Sequence, residues 1–116
     1  MPALQAFIRL CLAGEPTPAD FYLFLGYNAV VPPYVREGLF ARTLHNDDLL
    51  PRIERPVLIT HGEADRVVHP EAARQHAAAM RHAQVSWYPH VGHAPFWEDA
   101  PRFNRELRAF VRSLRG

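Results

Sequence analysis

The sequence predicts an α/β fold in which a helical first part precedes a β-α-β-α unit with two parallel strands. Up to about residue 54, apolar residues recur at helical spacing between proline-marked breaks. After Arg55 the pattern changes to two short strand-like runs with an alanine-rich helical segment between them. Strands joined by a helical crossover are parallel, which gives the closing unit its predicted topology.

The composition is that of one modest globular domain. The chain has 116 residues, 48% of them hydrophobic and 22% charged. The formal net charge is +1 with acids and bases mixed, so we expect neither a nucleic acid nor an anionic membrane surface as partner. Cys11 is the single cysteine and cannot form an internal disulfide, which fits a reducing compartment and predicts a cytoplasmic location. The first residues lack the basic region of a signal peptide, and no apolar run is long enough to span a bilayer.

The first part of the chain predicts three helical segments. The range 1–14 has an amphipathic helical pattern. Thr17-Pro-Ala-Asp20 then places a hydroxyl cap, a proline at the first helical position and an acid in the first turn of a second helix. Pro32-Pro33 breaks the chain, the range 34–43 resumes helical spacing, and a short segment over 46–50 leads to Pro51.

The second part predicts strand, helix, strand and helix in that order. Val57-Leu-Ile-Thr60 is an uninterrupted apolar run, typical of a parallel strand that is covered on both faces. The range 70–80 is helical, Gln84-Val-Ser-Trp-Tyr88 alternates as a second strand, and a last helix runs from about Pro101 to Leu114. The apolar stripe of this helix is expected to cover the sheet. Its charged residues are expected to face solvent: Arg102, Arg105, Glu106, Arg108 and Arg112.

One carboxylate and one imidazole follow the two predicted strands. Asp65 comes after the first strand and His93 after the second, and parallel strands end at the same edge of a sheet, where α/β proteins bind ligands. An aspartate there can accept the Nδ1 proton of the histidine, so that Nε2 can take a proton from a nucleophile. Asp65 could instead cap a turn or pair with Arg66, and His93 could be a loop residue with satisfied hydrogen bonds. Their order and spacing together favour a catalytic acid and general base.

The nucleophile that would complete this triad has no candidate in the sequence. Ser86 and Ser113 are the two serines, and neither lies in the G-x-S-x-G turn that a hydrolytic serine needs. Cys11 lacks that glycine turn and is interpreted as a packing residue. The third member would be a Ser, Cys or Asp on an earlier strand. The remaining histidines show no metal-ligand spacing, and we expect neither a metal nor a cofactor.

Two segments resemble the closing part of the α/β-hydrolase fold. They are Arg55-Pro-Val-Leu-Ile-Thr-His-Gly-Glu-Ala-Asp-Arg-Val-Val-His-Pro70 and Val91-Gly-His-Ala-Pro-Phe-Trp-Glu-Asp-Ala-Pro-Arg-Phe-Asn104. The resemblance covers Arg55 to Leu114 and implies that Asp65 corresponds to the triad acid and His93 to the general base. It implies a partial α/β-hydrolase fold, with residues 55–116 as the C-terminal part of the core.

The first half is similar, less specifically, to the helical cap of small esterases and non-haem haloperoxidases. Pro32-Pro-Tyr-Val-Arg36 and Asp47-Asp-Leu-Leu50 carry this likeness, which implies that residues 1–54 are a cap-like segment. In such enzymes the cap roofs the active site, so aromatic residues of this segment are candidate substrate-binding residues, with core packing equally open for each. These candidates are Phe21, Phe24, Tyr27 and Tyr34.

The resemblance implies a serine-type, esterase-like hydrolase fragment that acts on a small ester-like molecule with a nucleophile from outside the chain. A two-stranded parallel sheet leaves unpaired edges, so we expect the isolated chain to self-associate or to need a complementing chain at that edge. The alternative is a non-enzymatic remnant, or a module that binds a partner or an apolar ligand. A helix-turn-helix regulator is disfavoured because Pro32-Pro33 interrupts the helices and the arginines do not cluster.

Overall fold

Three helices form the first part of the chain, as seen in a computed structural model that describes residues 2–46 and 48–115. They are α1 (Pro2–Cys11), α2 (Pro18–Ala29) and α3 (Pro33–Ala41). A short 3-10 turn follows over Leu50–Arg52. Three residues of the predicted segments lie outside the described residues: Met1 of the first predicted helix, Asp47 of the short segment 46–50 and Gly116 of the range 55–116.

The start of α2 follows the predicted capping chemistry. The Thr17 hydroxyl accepts the backbone N–H of Asp20 at 3.2 Å and donates to the Asp20 carboxylate at 2.8 Å. Pro18 occupies the first turn, where its missing N–H costs nothing. Helix α3 ends two residues before the predicted bound, because Arg42 has an extended backbone with ψ of 140°.

Two parallel strands and a helical crossover form the second part, which confirms the predicted topology. Strand β1 (Val57–Gly62) pairs with β2 (Ala83–Tyr88) in register, from Val57 beside Ala83 to Gly62 beside Tyr88. Helix α4 (Pro70–Ala79) connects them. The aligned register brings both carboxyl ends to one edge of the sheet.

The burial of β1 departs from the prediction of a strand covered on both faces. Five of its six residues are half-buried and Gly62 alone is buried. Within the described ranges the sheet consists of β1 and β2, so β1 has a strand on one side and none on the other. An incomplete sheet therefore explains its partial exposure.

Two helices close the chain, one of which the sequence did not predict. Helix α5 (Pro95–Glu98) is a single turn, and α6 (Ala100–Ser113) follows directly. Between α5 and α6, the rings of Phe96 and Phe103 pack edge-on, with 6.2 Å between the ring centres. On the apolar stripe of α6, Phe103 and Phe110 are half-buried whereas Leu107, Val111 and Leu114 are exposed, so the stripe is only partly covered.

The prediction that Arg102 and Glu106 face solvent is wrong. Glu106 accepts hydrogen bonds from the hydroxyls of Ser86 at 2.6 Å and Tyr88 at 2.7 Å, and from Nε of Arg102 at 2.8 Å. The Arg102 guanidinium also stacks 3.9 Å from the centre of the Tyr88 ring. Tyr88 is fully buried, so its hydroxyl needs a hydrogen-bond partner inside the fold. The i,i+4 ion pair of Arg102 and Glu106 supplies this partner and therefore packs against β2.

This network shifts the pKa values of Glu106 and Tyr88. Burial acts to raise the pKa of Glu106, but hydrogen bonds from Ser86, Tyr88 and Arg102 outweigh it and hold that pKa at about 2. Burial, together with the Glu106 carboxylate, raises the pKa of Tyr88 to about 12. The Glu106 carboxylate is therefore charged at neutral pH, although it lies between α6 and β2.

The core is small and includes residues from α1, from α4 and its end, and from the carboxyl edge of the sheet. Its buried apolar residues are Ile8, Leu12, Ala73, Met80, Tyr88, Val91 and Ala94. Elsewhere large apolar side chains are open to solvent, including Phe40, which is 84% exposed. No helix within the described ranges combines the length and apolarity needed to cross a membrane.

Candidate active site

Asp65 and His93 meet at the carboxyl edge of the two strands. Oδ2 of Asp65 lies 2.9 Å from Nδ1 of His93. The Asp65 side chain is 4% exposed and the His93 side chain 38% exposed. Because a carboxylate only accepts hydrogen bonds, the proton of the pair sits on Nδ1, which leaves Nε2 free to accept one.

Asp65 also holds its own loop. Its Oδ1 accepts the backbone N–H groups of Val67 at 2.8 Å and Val68 at 2.9 Å, a local turn typical of aspartate. Burial acts to raise the pKa of Asp65, but the hydrogen bonds from His93, Val68 and Val67 outweigh it, and the pKa is lowered. Asp65 is therefore ionised at neutral pH. The Asp65 carboxylate therefore caps a turn with Oδ1, as the alternative interpretation expected, and contacts His93 with Oδ2.

Arg66 does not pair with Asp65. Its guanidinium donates to the carbonyl oxygens of Arg9 at 2.7 Å and Leu12 at 2.9 Å, at the end of α1. A cation at the carboxyl end of a helix is favourable, because the last carbonyl groups lack partners within the helix. The loop that carries Asp65 is thereby tied to α1.

Close backbone packing brings the two loops together. A Cβ atom on Gly62 would overlap the backbone of Val91 and Gly92, and one on Gly92 would lie 2.7 Å from the amide nitrogen of Ala13. Only glycine permits such an approach, so Gly62 and Gly92 allow the two loops to pack backbone against backbone.

A tight turn leads from β2 into the loop of His93. The N–H of Val91 donates to the carbonyl of Tyr88 at 3.4 Å across Pro89 and His90. His90 has a φ of 62°. Proline followed by a residue with positive φ is the pattern of a type II turn. Nothing in the sequence marks this turn, because histidine is not among the residues usually expected at that position.

A second imidazole lies beside Asp65. Nε2 of His61 is 3.0 Å from the carbonyl oxygen of Val68 and 3.6 Å from Oδ2 of Asp65. Since a carbonyl only accepts, Nε2 of His61 carries a proton and donates to Val68. His61 thus reinforces the loop of Asp65, a role that the sequence did not indicate.

An apolar cavity of about 230 Å³ opens beside His93. It lies between α1, α2 and the loop that leads into α5. Its lining residues are Ile8, Cys11, Leu12, Phe24, Asn28, His93, Ala94 and Phe96. The arrangement places an imidazole next to an apolar space.

The four aromatic candidates of the cap-like segment lie in different places. Phe24 lines the cavity and packs edge-on against Trp97 at 5.0 Å. The ring of Phe21 lies under the Arg9 guanidinium at 4.5 Å instead. Tyr27 is 65% exposed and Tyr34 is 73% exposed, and neither lines this cavity. Phe24 and Asn28, one turn apart on α2, both line the cavity, whereas Tyr34 belongs to α3.

Cys11, interpreted from the sequence as a packing residue, lines the cavity. Burial and then the charges of Asp65 and Glu98 raise the pKa of its thiol. A raised pKa keeps the thiol protonated at neutral pH, and a protonated thiol is a poor nucleophile.

Neither serine is placed to react with His93. The Ser86 hydroxyl donates to Glu106 at 2.6 Å, and the Ser113 hydroxyl donates to the carbonyl of Phe110 at 2.7 Å. Both partners belong to α6, so both hydroxyls are engaged away from the cavity. Among the residues described, no cluster of three or more metal-ligating side chains occurs.

Comparison with known proteins assigns the family. The family model described as serine aminopeptidase, S33, matches residues 35–100. The chain is 40% identical over 81 residues to a pimeloyl-[acyl-carrier protein] methyl ester esterase of Stenotrophomonas maltophilia (strain K279a), a match that covers 67% of this chain and 30% of that protein.

Solved structures agree with this assignment. Esterase RhEst1 from Rhodococcus sp. ECU1013 matches with a TM-score of 0.90 and 36% identity, over 97% of this chain and 42% of that chain. A bromoperoxidase from Bacillus anthracis matches with a TM-score of 0.84 over 96% of this chain and 43% of that one, and its 22% identity supports the fold alone. The chain therefore spans less than half the length of each of these three proteins.

The element order, the parallel sheet and these matches confirm the predicted resemblance to the closing part of small esterases and haloperoxidases. On this evidence the chain belongs to the S33 serine aminopeptidase family and has a partial α/β-hydrolase fold.

Proposed function

We propose that the chain is the C-terminal part of a serine-type ester hydrolase, in which Asp65 is the triad acid and His93 the general base. The nucleophile comes from a segment outside these residues. The observation that carries the proposal is the 2.9 Å contact between Oδ2 of Asp65 and Nδ1 of His93, beside an apolar cavity. The esterase names of the matched relatives support an ester as the substrate.

Each residue has a defined task in the reaction. Nε2 of His93 takes the proton of the nucleophile's hydroxyl as its oxygen attacks the ester carbonyl, and Asp65 stabilises the imidazolium that forms. The imidazolium then gives this proton to the departing alcohol, leaving the acyl group on the nucleophile. A water that His93 deprotonates then attacks the acyl group. The bond to the nucleophile's oxygen breaks as the imidazolium returns this proton to that oxygen, which releases the acid and restores the starting state.

The positions of the hydroxyls and the thiol support an external nucleophile. Ser86 and Ser113 donate to groups of α6, and the pKa of the Cys11 thiol is raised by burial and by neighbouring carboxylates. His93 lines the cavity and, as a general base, needs a hydroxyl there, and none of these groups supplies it.

The cavity indicates the kind of substrate. Its lining is apolar apart from His93, Asn28 and the Cys11 thiol, which suits an uncharged acyl or alcohol group. At about 230 Å³ it holds a small group rather than a long chain. We assign Phe24 to this binding surface, because its ring lines the cavity and is fixed by Trp97.

The proposal divides the chain into a cap-like segment over residues 1–54 and the closing part of the core over residues 55–116. The rest of the sheet adds to the free edge of β1. Three observations support this: β1 is half-buried, the stripe of α6 is partly uncovered, and the chain covers 42% of the Rhodococcus esterase. The separate chain should self-associate or bind a complementing piece through that edge.

A chimera tests the function. The part of the Rhodococcus esterase outside the matched region is joined to this chain, and hydrolysis of p-nitrophenyl acetate is compared with that by the isolated chain. We expect the isolated chain to be nearly inactive and the chimera to hydrolyse the ester. His93→Ala should lower the chimera's kcat by at least about a thousandfold, since removing the base of a triad disables the nucleophile.

His76→Ala is the matched control, because His76 is exposed on α4 away from the cavity. It should leave kcat unchanged. Hydrolysis by either protein that survives His93→Ala would reject the assignment of His93.

A further inference from the structure

Glu98 makes an unusual set of contacts close to His93. Its Oε1 accepts the backbone N–H of Gly92 at 2.8 Å and that of Ala94 at 3.4 Å. Its Oε2 accepts the N–H of Ala13 at 2.8 Å. One carboxylate thus contacts the residues on both sides of His93 and the segment that follows α1.

The backbone of His93 is bound to the same segment. Its N–H donates to the carbonyl oxygen of Cys11 at 2.7 Å. The three successive amides of residues 92, 93 and 94 are therefore all satisfied, two by Glu98 and one by Cys11. Together with the bond from Ala13, these contacts close a ring between the end of α1 and the loop of His93.

The ring is more than the cap of a short helix. A cap of α5 would satisfy the amides at the start of that helix, and only the longest of the three bonds, from Ala94, does so. The two bonds of 2.8 Å go to Gly92 and Ala13, which lie outside α5. Capping alone does not account for them.

Burial makes these bonds important. Gly92 and Ala94 are buried, and a buried N–H without a partner is costly. Bonds from an amide to an ionised carboxylate are stronger than bonds between neutral groups. Within the described ranges, the six ion pairs do not include Glu98, so no cation competes for its oxygens.

We propose that Glu98 is a positioning residue for His93, which it holds towards Asp65 through the amides of Gly92 and Ala94 and anchors to the end of α1 through Ala13. The inference rests on the proposed function of His93. It adds a carboxylate that touches neither the substrate nor the reacting atoms.

The physical reason is that the two residues of the pair lie on different loops. The loop of Asp65 is held by its own turn and by Arg66, whereas the loop of His93 has Glu98 and Cys11 as its anchors to α1. A catalytic group needs its position fixed to within about 0.5 Å. Without Glu98 the buried amides of Gly92 and Ala94 would lose their hydrogen-bond partner. The loop would then rearrange, and the imidazole of His93 would move away from Asp65.

Hydrogen exchange and NMR on the full isotope-labelled chain test the proposal without any activity assay. We expect Glu98→Ala to speed amide exchange at Gly92, Ala94 and Ala13 by at least about tenfold, the effect of losing a bond to a charged group. The amide of His93 should also speed up, although Glu98 does not touch it. The low-field Nδ1 proton resonance of His93, which reports the contact with Asp65, should be lost.

Two variants keep the test specific. Glu98→Gln retains one carbonyl oxygen and should protect either Gly92 or Ala13 but not both. Glu71→Gln removes an exposed carboxylate from α4 and should change none of these signals. In all three variants the exchange of Ile59 and Ser86 in the strands should stay within about twofold of the unsubstituted chain, since a variant that only lowers global stability would speed every amide together.

Three results would overturn the proposal: an unchanged Nδ1 resonance in Glu98→Ala, strand amides that speed up as much as Gly92, or unprotected amides at Gly92 and Ala13 in the unsubstituted chain. Because no hydrolysis is measured, failure here leaves the chimera experiment to judge the roles of His93 and Asp65 separately.

Discussion

Nδ1 of His93 lies 2.9 Å from Oδ2 of Asp65, although 28 positions separate the two residues in the sequence. The in-register parallel pairing of β1 and β2 produces this proximity, because it brings the carboxyl ends of both strands to the same edge. Backbone packing of Gly62 on Val91 and Gly92 then joins the two loops. Sheet topology and glycine together set the geometry of the pair.

Adding a methyl group at Gly62 should disrupt that packing. Gly62→Ala places a Cβ against the backbone of Val91 and Gly92, which cannot move aside as a side chain could. We expect it to lower the free energy of unfolding by about 3 kcal/mol, the upper range for overpacking. Urea denaturation followed by tryptophan fluorescence measures this change.

Gly38→Ala is the matched control, because Gly38 lies in α3 with nothing within 4 Å of the added Cβ. It should raise stability by about 0.5–1 kcal/mol, since glycine is unfavourable inside a helix. Equal effects of the two substitutions would show that the close approach at Gly62 is unimportant.

Glu106 should make the chain sensitive to acid. Its pKa of about 2 in the folded chain lies below the ordinary 4.5, so its contribution to stability is present above about pH 4.5 and is lost as the pH falls towards 2. Glu106→Gln should lower stability at pH 7 and flatten the decline over this range. A smaller decline should remain, because the pKa of Asp65 is also lowered.

Urea denaturation at a series of pH values between 2 and 7 checks this prediction, with Glu71→Gln as the exposed control. A decline with the same slope in the unsubstituted chain and in Glu106→Gln would contradict it.

Arg66 should contribute to the attachment of α1. Arg66→Ala removes the hydrogen bonds to the carbonyls of Arg9 and Leu12, and we expect a loss of about 1 kcal/mol together with faster amide exchange in the last turn of α1. Arg108→Ala, on the exposed side of α6, should change stability by less than about 0.5 kcal/mol. An Arg66→Ala chain as stable as the control would argue against the attachment.

Periodicity and capping chemistry were sufficient to predict most of the fold. Thr17-Pro-Ala-Asp20 marks the start of α2, and the change to short apolar runs after Arg55 marks the sheet. These signals are local, so they can be read without knowledge of packing. The edge position of Asp65 and His93 follows from topology once the strands are known to be parallel.

Contacts between distant segments could not be predicted in this way. Arg102 and Glu106 look like a solvated i,i+4 pair until Ser86 and Tyr88 of β2 are known to lie beneath them. Glu98 likewise reads as a surface acid, and only the fold brings the amide of Ala13 to it. The signal available for α5 was Pro95 alone, which is too little to predict a single helical turn.

The most direct test of the central claim is a double-mutant cycle on kcat/KM for p-nitrophenyl acetate hydrolysis by the chimera. Asp65→Asn alone should lower the rate by about ten thousandfold, since it leaves His93 in the wrong tautomer. If Asp65 acts through His93, Asp65→Asn should cost almost nothing further once His93 is alanine, because residues that act as a unit are not additive. Fully additive losses would show that the two residues act independently and would contradict the account.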